Sequence, residues 1–142
     1  MHMEPIAAED VIPHRPPMRL IDALVDWNDH SARSVVVFAG DHMAVRDGFV
    51  TEPALVECIA QTVAAMEGAR KAAGVEPEGT SGQQVGMLCG ISDFAVVRRP
   101  KAGERLEVSV QVQKRLGPML LADGQVLCDG QVVASGSLKL SG

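Results

Sequence analysis

Aromatic residues are nearly missing from this 142-residue chain: three phenylalanines, one tryptophan and no tyrosine make up 3% of it. A nucleic-acid-binding surface needs a basic stripe and usually exposed rings. Here thirteen lysines and arginines face eighteen acids, for a net charge of -5, and they cluster only in pairs such as Arg70-Lys71 and Arg98-Arg99. Nucleic acid is therefore excluded as a partner class. Long apolar runs are missing too. No stretch reaches the roughly 18 uninterrupted apolar residues of a membrane span. Met1 to Asp10 carries acids where an export signal would carry lysines, so the expectation is a cytoplasmic protein without membrane insertion. Cysteine is scarce as well. Cys58, Cys89 and Cys128 each lie in an apolar segment, with no C-x-x-C pair and no histidine at metal-ligand spacing. They are expected to be buried reduced thiols, and neither a metal nor a redox cofactor is implied.

What is present is an ordinary globular composition, 46% hydrophobic and 22% charged. The length suits one domain with one core, spanning residues 1–142. Ala7 to Ile12 has a short helical pattern stopped by Pro13, and Pro16 and Pro17 then hold the chain extended. Met18 to Val25 and Ser34 to Phe38 read as a hairpin around Asp26-Trp27-Asn28-Asp29. Gly40 to Val50 reads as a loop. Thr51 or Glu52 followed by Pro53 signals a helix start, and the helix is expected to run to about Ala73 and stop at Gly74. Val75 to Gln84 has the composition of a flexible loop. Strands follow: Val85 to Val97, interrupted at Gly90; Arg105 to Gln113, with Leu106, Val108, Val110 and Val112 on one face; and Met119 to Cys128 with Gln131 to Leu140, joined by the hairpin signal Asp129-Gly130. Strict alternation means a sheet with one wet face, hence an antiparallel one. The order hairpin, long helix, then three or four strands predicts an α+β domain whose sheet wraps around the helix.

That helix carries the most informative residue. From Ala54 to Met66 the only charge is Glu57. A helix apolar nearly all round belongs in the middle of a domain, and a buried unpaired carboxylate is a candidate general acid. The competing reading places Glu57 near the helix start, where negative charge favours the macrodipole and reaches solvent.

With these residues in view, the chain resembles the hot-dog fold family of bacterial 3-hydroxyacyl-acyl carrier protein dehydratases. Pro13-His14-Arg15-Pro16-Pro17-Met18 with Leu20-Ile21-Asp22 is similar to their opening motif. Glu57-Cys58-Ile59-Ala60-Gln61 is similar to their Glu-x-x-Ala-Gln helix motif. Cys89-Gly90-Ile91, followed by Arg99-Pro100 and Gly103, is similar to their Ala-Gly-Ile strand and turn. The resemblance covers Ile12 to Leu140. In that family the helix glutamate works with a histidine from the preceding loop, usually in Gly-His-Phe-Pro-Gly. This chain reads Gly40-Asp41-His42-Met43-Ala44 instead, which resembles the divergent dehydratase-like proteins of aryl polyene biosynthesis.

The resemblance implies elimination of water from a 3-hydroxyacyl thioester presented by acyl carrier protein or coenzyme A. Such chemistry needs a base for the C2 proton, an acid for the leaving hydroxyl and a donor for the enolate oxygen. Glu57 would be the acid and His42 the base, with a solvated loop histidine as the competing reading. Gln61, one turn from Glu57, would orient the carboxyl or else bond a backbone group. Gly90 would bring a backbone amide to the thioester or else mark a strand bulge. Helix amides near Pro53 could assist, and His14 would be structural or line the acyl channel, taking the base role if the altered loop swings His42 into solvent. Met43, Met66, Met87 and Met119 read as core filling, with one or two at a tunnel wall. Two other functions are compatible with the same residues: a hot-dog thioesterase, and a silent acyl-binding subunit paired with an active homologue.

A homodimer is expected, its sheets joined edge to edge and its helices side by side along the small residues Ala60, Ala64, Ala65 and Gly68. His42 of one subunit would then face Glu57 of the other, as in the resembling dehydratases. A higher oligomer or a heterodimer with a homologue stays open.

Overall fold

The long helix forms where the proline places it. In the computed structural model, which describes residues 4–74 and 87–141, α1 (Glu52–Ala72) follows an extended Thr51 and holds Pro53 in its first turn. Proline's missing N–H has no intrahelical partner to lose there. At the other end Gly74 takes a φ of +82° and donates its N–H to the carbonyl of Lys71, a left-handed stop that suits glycine.

Around the helix run β1 (Ile6–Ala7), β2 (Ala23–Trp27), β3 (Ser31–Val37), β4 (Val45–Arg46), β5 (Phe49–Val50), β6 (Met87–Val96), β7 (Arg105–Leu116), β8 (Met119–Cys128) and β9 (Gln131–Ser141). Seven of these strands form one antiparallel sheet in the order β1-β2-β3-β7-β8-β9-β6, and β4 pairs with β5. The helix lies against β2, β3, β7, β8 and β9. This is the expected α+β hot-dog architecture. Its core follows the alternation in β7, where Leu106, Val108 and Val110 are buried. Gly124 sits where a Cβ would collide with Ile59 of the helix, so glycine sets how closely helix and sheet approach. The β8–β9 turn has positive φ at both Asp129 and Gly130, the conformation that matches the twist of a two-residue hairpin.

Several expectations change. Residues Met18 to Asp22 are not strand, because their backbone is engaged elsewhere: Met18 and Arg19 donate to the Arg15 carbonyl, and Leu20 donates to Gln61. The β2–β3 turn falls slightly later than expected, where the Asn28 side chain accepts the N–H groups of His30 and Ser31. The helical pattern of Ala7 to Ile12 becomes a single 3-10 turn, Ala8–Asp10. The loop before the helix contains β4 and β5. Cys58 and Cys128 are buried, whereas Cys89 is exposed and donates to the Ser141 hydroxyl. It lies on β6, which among the described residues pairs with β9 and ends the sheet. Met43 is 65% exposed and is no core residue. The loop expected at Val75 to Gln84 falls outside the described residues. Among the described residues, no helix is long and apolar enough to cross a membrane.

A sheet covers only one side of a helix, yet from Ala54 to Arg70 every residue is buried except Glu57 and Gly68. The opening segment supplies the rest of the cover. His14 approaches Glu57, Met18 and Leu20 bond Gln61, and the Val11 carbonyl lies where a Cβ on Gly68 would be. Of the small residues expected to face a second helix, Gly68 is occupied by its own chain. Gly68→Ala is expected to destabilise the protein by about 1 to 3 kcal/mol through overpacking. Urea unfolding measures this, and an unchanged midpoint would mean that Val11 yields freely.

Candidate functional site

Glu57 stands one turn into α1, at a gap in an otherwise closed helix. Its side chain is 41% exposed in the protomer, which favours the reading of a carboxyl that reaches solvent near the helix start over that of a buried one. The opening segment leaves one carboxyl edge uncovered, and burial beyond that would require a second subunit or bound substrate.

Gln61 lies one turn further along the same face and is buried. Its Oε1 accepts the Leu20 N–H at 2.8 Å, and its Nε2 donates to the Met18 carbonyl at 2.8 Å and to Glu57 Oε2 at 3.0 Å. Both sequence readings of Gln61 are therefore realised at once. One amide fastens the opening segment to the helix and orients the carboxyl. The bond falls on Oε2 of that carboxyl.

His14 is the histidine beside this carboxyl, its Nε2 3.8 Å from Glu57 Oε2. Arg15 shapes the approach by donating to the carbonyls of Ile12 and His14. Cys58 is adjacent in sequence but faces the core. Burial, then the charge of Glu57 and that of Asp22, push its thiol well above the ordinary range, so it is no nucleophile.

His42 occupies the loop between β3 and β4. Its Nδ1 accepts the Ala44 N–H at 2.9 Å, and its ring meets Phe38 edge-on with centroids 5.1 Å apart. Among the described residues, no hydrogen bond or ion pair joins His42 to Glu57 within the protomer. Pro53 is exposed in the first helical turn. Gly90 lies on β6 at a register shift between Leu88 and Gly90, opposite Lys139, so the bulge expected of it is present. A Cβ there would meet Lys139 at 3.7 Å, an ordinary contact. Packing within one protomer thus does not demand glycine. The residue lines an open cavity of about 400 Å³ with Ser92, Leu121, Asp123, Ser137 and Lys139.

Sequence reasoning missed the charges at the other end of the helix. Glu67, buried, accepts from Arg70 at 2.9 Å and from Arg115 at 2.6 Å, and Arg70 reaches Asp29 at 3.5 Å. The three-residue spacing of Glu67 and Arg70 is the one signal that could have found part of this cluster. A carboxylate satisfied by two guanidinium groups holds structure rather than chemistry. No group of three or more histidine, cysteine or carboxylate side chains among the described residues could hold a metal ion.

Known proteins share this arrangement of helix and sheet. The 3-hydroxyacyl-[acyl-carrier-protein] dehydratase FabZ of Anaeromyxobacter dehalogenans (strain 2CP-C) is 30% identical over 140 residues, covering 88% of this chain and 85% of that protein. Among solved structures, the dehydratase heterocomplex ApeI:P from Xenorhabdus doucetiae matches with a TM-score of 0.82 at 20% identity, over 96% of this chain and 90% of that one. Zebra fish thioesterase superfamily member 2 matches with a TM-score of 0.61 at 13% identity, over 84% of this chain and 80% of that one. Both structures speak to the fold alone. The ApeP-like family, described as ApeP dehydratase, matches residues 6–141. With that match spanning nearly its whole length, the chain belongs to the ApeP-like dehydratase family.

Proposed function

We propose that the protein dehydrates 3-hydroxyacyl thioesters carried on acyl carrier protein, in fatty-acid or polyene-type synthesis, by acid–base elimination. The observation that carries this reading is the Glu57 carboxyl, its Oε2 held by Gln61 and Oε1 without a hydrogen bond among the described residues, at the one polar gap in the buried stretch from Ala54 to Arg70. A base removes the C2 proton and the C–H electron pair becomes the C2–C3 double bond. The C3 hydroxyl departs as water with the proton that Glu57 delivers. The backbone amide of Gly90 and helix amides near Pro53 would face the thioester oxygen, where fixed donors stabilise developing charge.

In this reading His42 of a second subunit supplies the base to Glu57. The neutral ring carries its proton on Nε2, because Nδ1 accepts the Ala44 N–H. To accept the C2 proton at Nε2, His42 must give up that bond, so the Gly40 to Val50 loop has to reseat when substrate binds. That requirement favours a second reading, in which this chain is the silent subunit of a pair with an active homologue. The heterocomplex formed by the Xenorhabdus proteins supports it.

The pure protein incubated with a 3-hydroxyacyl thioester of acyl carrier protein separates the possibilities, with light scattering to give subunit number. An enoyl thioester from a dimer is the expected result. Free thiol would mean a thioesterase. Neither product, with turnover regained on adding a homologue, would make this chain the silent partner.

A further inference from the structure

We propose that His14 is a positioning residue for Glu57, its Nε2–H converging with the Gln61 amide on Oε2 so that Oε1 alone exchanges the proton. The inference rests on the dehydratase reading and adds a residue to its machinery from the same protomer.

The two nitrogens of His14 have different surroundings. Nδ1 is buried and has no hydrogen-bond partner among the described residues, whereas Nε2 points toward the carboxyl, 3.8 Å from Oε2. A neutral imidazole carries one proton. On Nδ1 that proton would find no acceptor, and Nε2 would turn a lone pair toward the carboxyl oxygen. On Nε2 it faces a carboxyl oxygen. The ring is thereby set as a donor toward Glu57, and its lone pair is not available as a base at Nε2. The separation exceeds a hydrogen bond by less than 1 Å, and contacts of this kind tighten when substrate closes a site.

Gln61 makes the arrangement rigid. Its bonds to Met18 and Leu20 tie the segment that bears His14 to the same helical turn that bears Glu57. Two donors thus approach one carboxyl oxygen from separate elements. When Glu57 releases its proton from Oε1, the negative charge that appears is met by both, without either having to move far.

The test compares His14→Ala and His14→Gln with the unaltered protein. In turnover of a 3-hydroxyacyl carrier thioester, His14→Ala should lower kcat by about 10- to 100-fold, with KM and the thermal midpoint little changed. His14→Gln, which keeps an N–H donor of similar reach, should recover most of the loss. In a Glu57→Gln background, His14→Ala should cause no further loss. A kcat unchanged in His14→Ala, or losses that multiply in full, would overturn the proposal. A second readout is independent of turnover: nitrogen-15 spectra of the His14 ring should show the Nε2–H tautomer, with a signal displaced by Glu57→Gln. If the unaltered protein proves inactive but that signal still responds to Glu57→Gln, the dehydratase reading falls and the pair stands. If the protein turns over and the ring is Nδ1–H or unresponsive, the pairing falls and the dehydratase reading stands.

Discussion

Glu57→Gln is expected to lower dehydration by about 10² to 10⁴-fold, the contribution of one well-placed acid or base. The amide matches the carboxyl in shape but has no acidic proton to deliver to the departing hydroxyl. The fold should survive unchanged. Gln61 can still donate to the carbonyl oxygen of the new amide, and with 41% of the Glu57 side chain exposed no buried charge is left without a partner. Equal unfolding midpoints with turnover lost would separate chemistry from structure, whereas a fully active variant would remove Glu57 from the mechanism.

Gln61→Leu is expected to act on stability first and on activity through it. Leucine fills the site but deprives the Leu20 N–H and the Met18 carbonyl of their partner. Leaving the buried Leu20 N–H unsatisfied costs about 1 to 3 kcal/mol, and the Met18 carbonyl costs less because its residue is exposed to water. The opening segment should loosen from the helix, which hydrogen exchange at Leu20 would report. Gln61→Glu offers a contrast: its carboxyl can still accept from Leu20 but gives the Met18 carbonyl no N–H and sets a second acid against Glu57. Gln61→Leu unfolding at the same urea concentration as the unaltered protein would show that the clamp is dispensable.

Glu57 and Gln61 share one helix face by their four-residue spacing, and their pairing is legible in the amino-acid sequence alone. The other partners of Gln61 are not, since they lie 40 to 43 residues away along the chain. They are backbone atoms of a segment with no periodic pattern. The three prolines and the arginine turn of that segment mark it as irregular, but irregular backbone has no repeat from which a docking position can be read. Resemblance alone places His14 near the acyl channel. That it faces Glu57, while Nδ1 of His42 is taken by a backbone amide, depends on where two loops pack.

Local physics governs the parts that are legible along the chain. The limits of α1 follow from Pro53 and Gly74, the β8–β9 hairpin from Asp129-Gly130, the buried face of β7 from strict alternation, and the α+β class from one apolar helix among alternating strands, with the hot-dog family added by resemblance. Each of these is set by neighbours a few residues apart. What lies on the second side of the helix emerges only on folding. The chain's own opening segment sits there at Gly68 and Gln61 and leaves Glu57 partly exposed. An apolar helix must be covered, but its hydrophobicity is satisfied equally by its own chain or by a second subunit, because burial of apolar surface is non-directional. The choice was made by directional bonds, an amide reaching two backbone groups and a glycine admitting a carbonyl, and those exist only once the chain has folded.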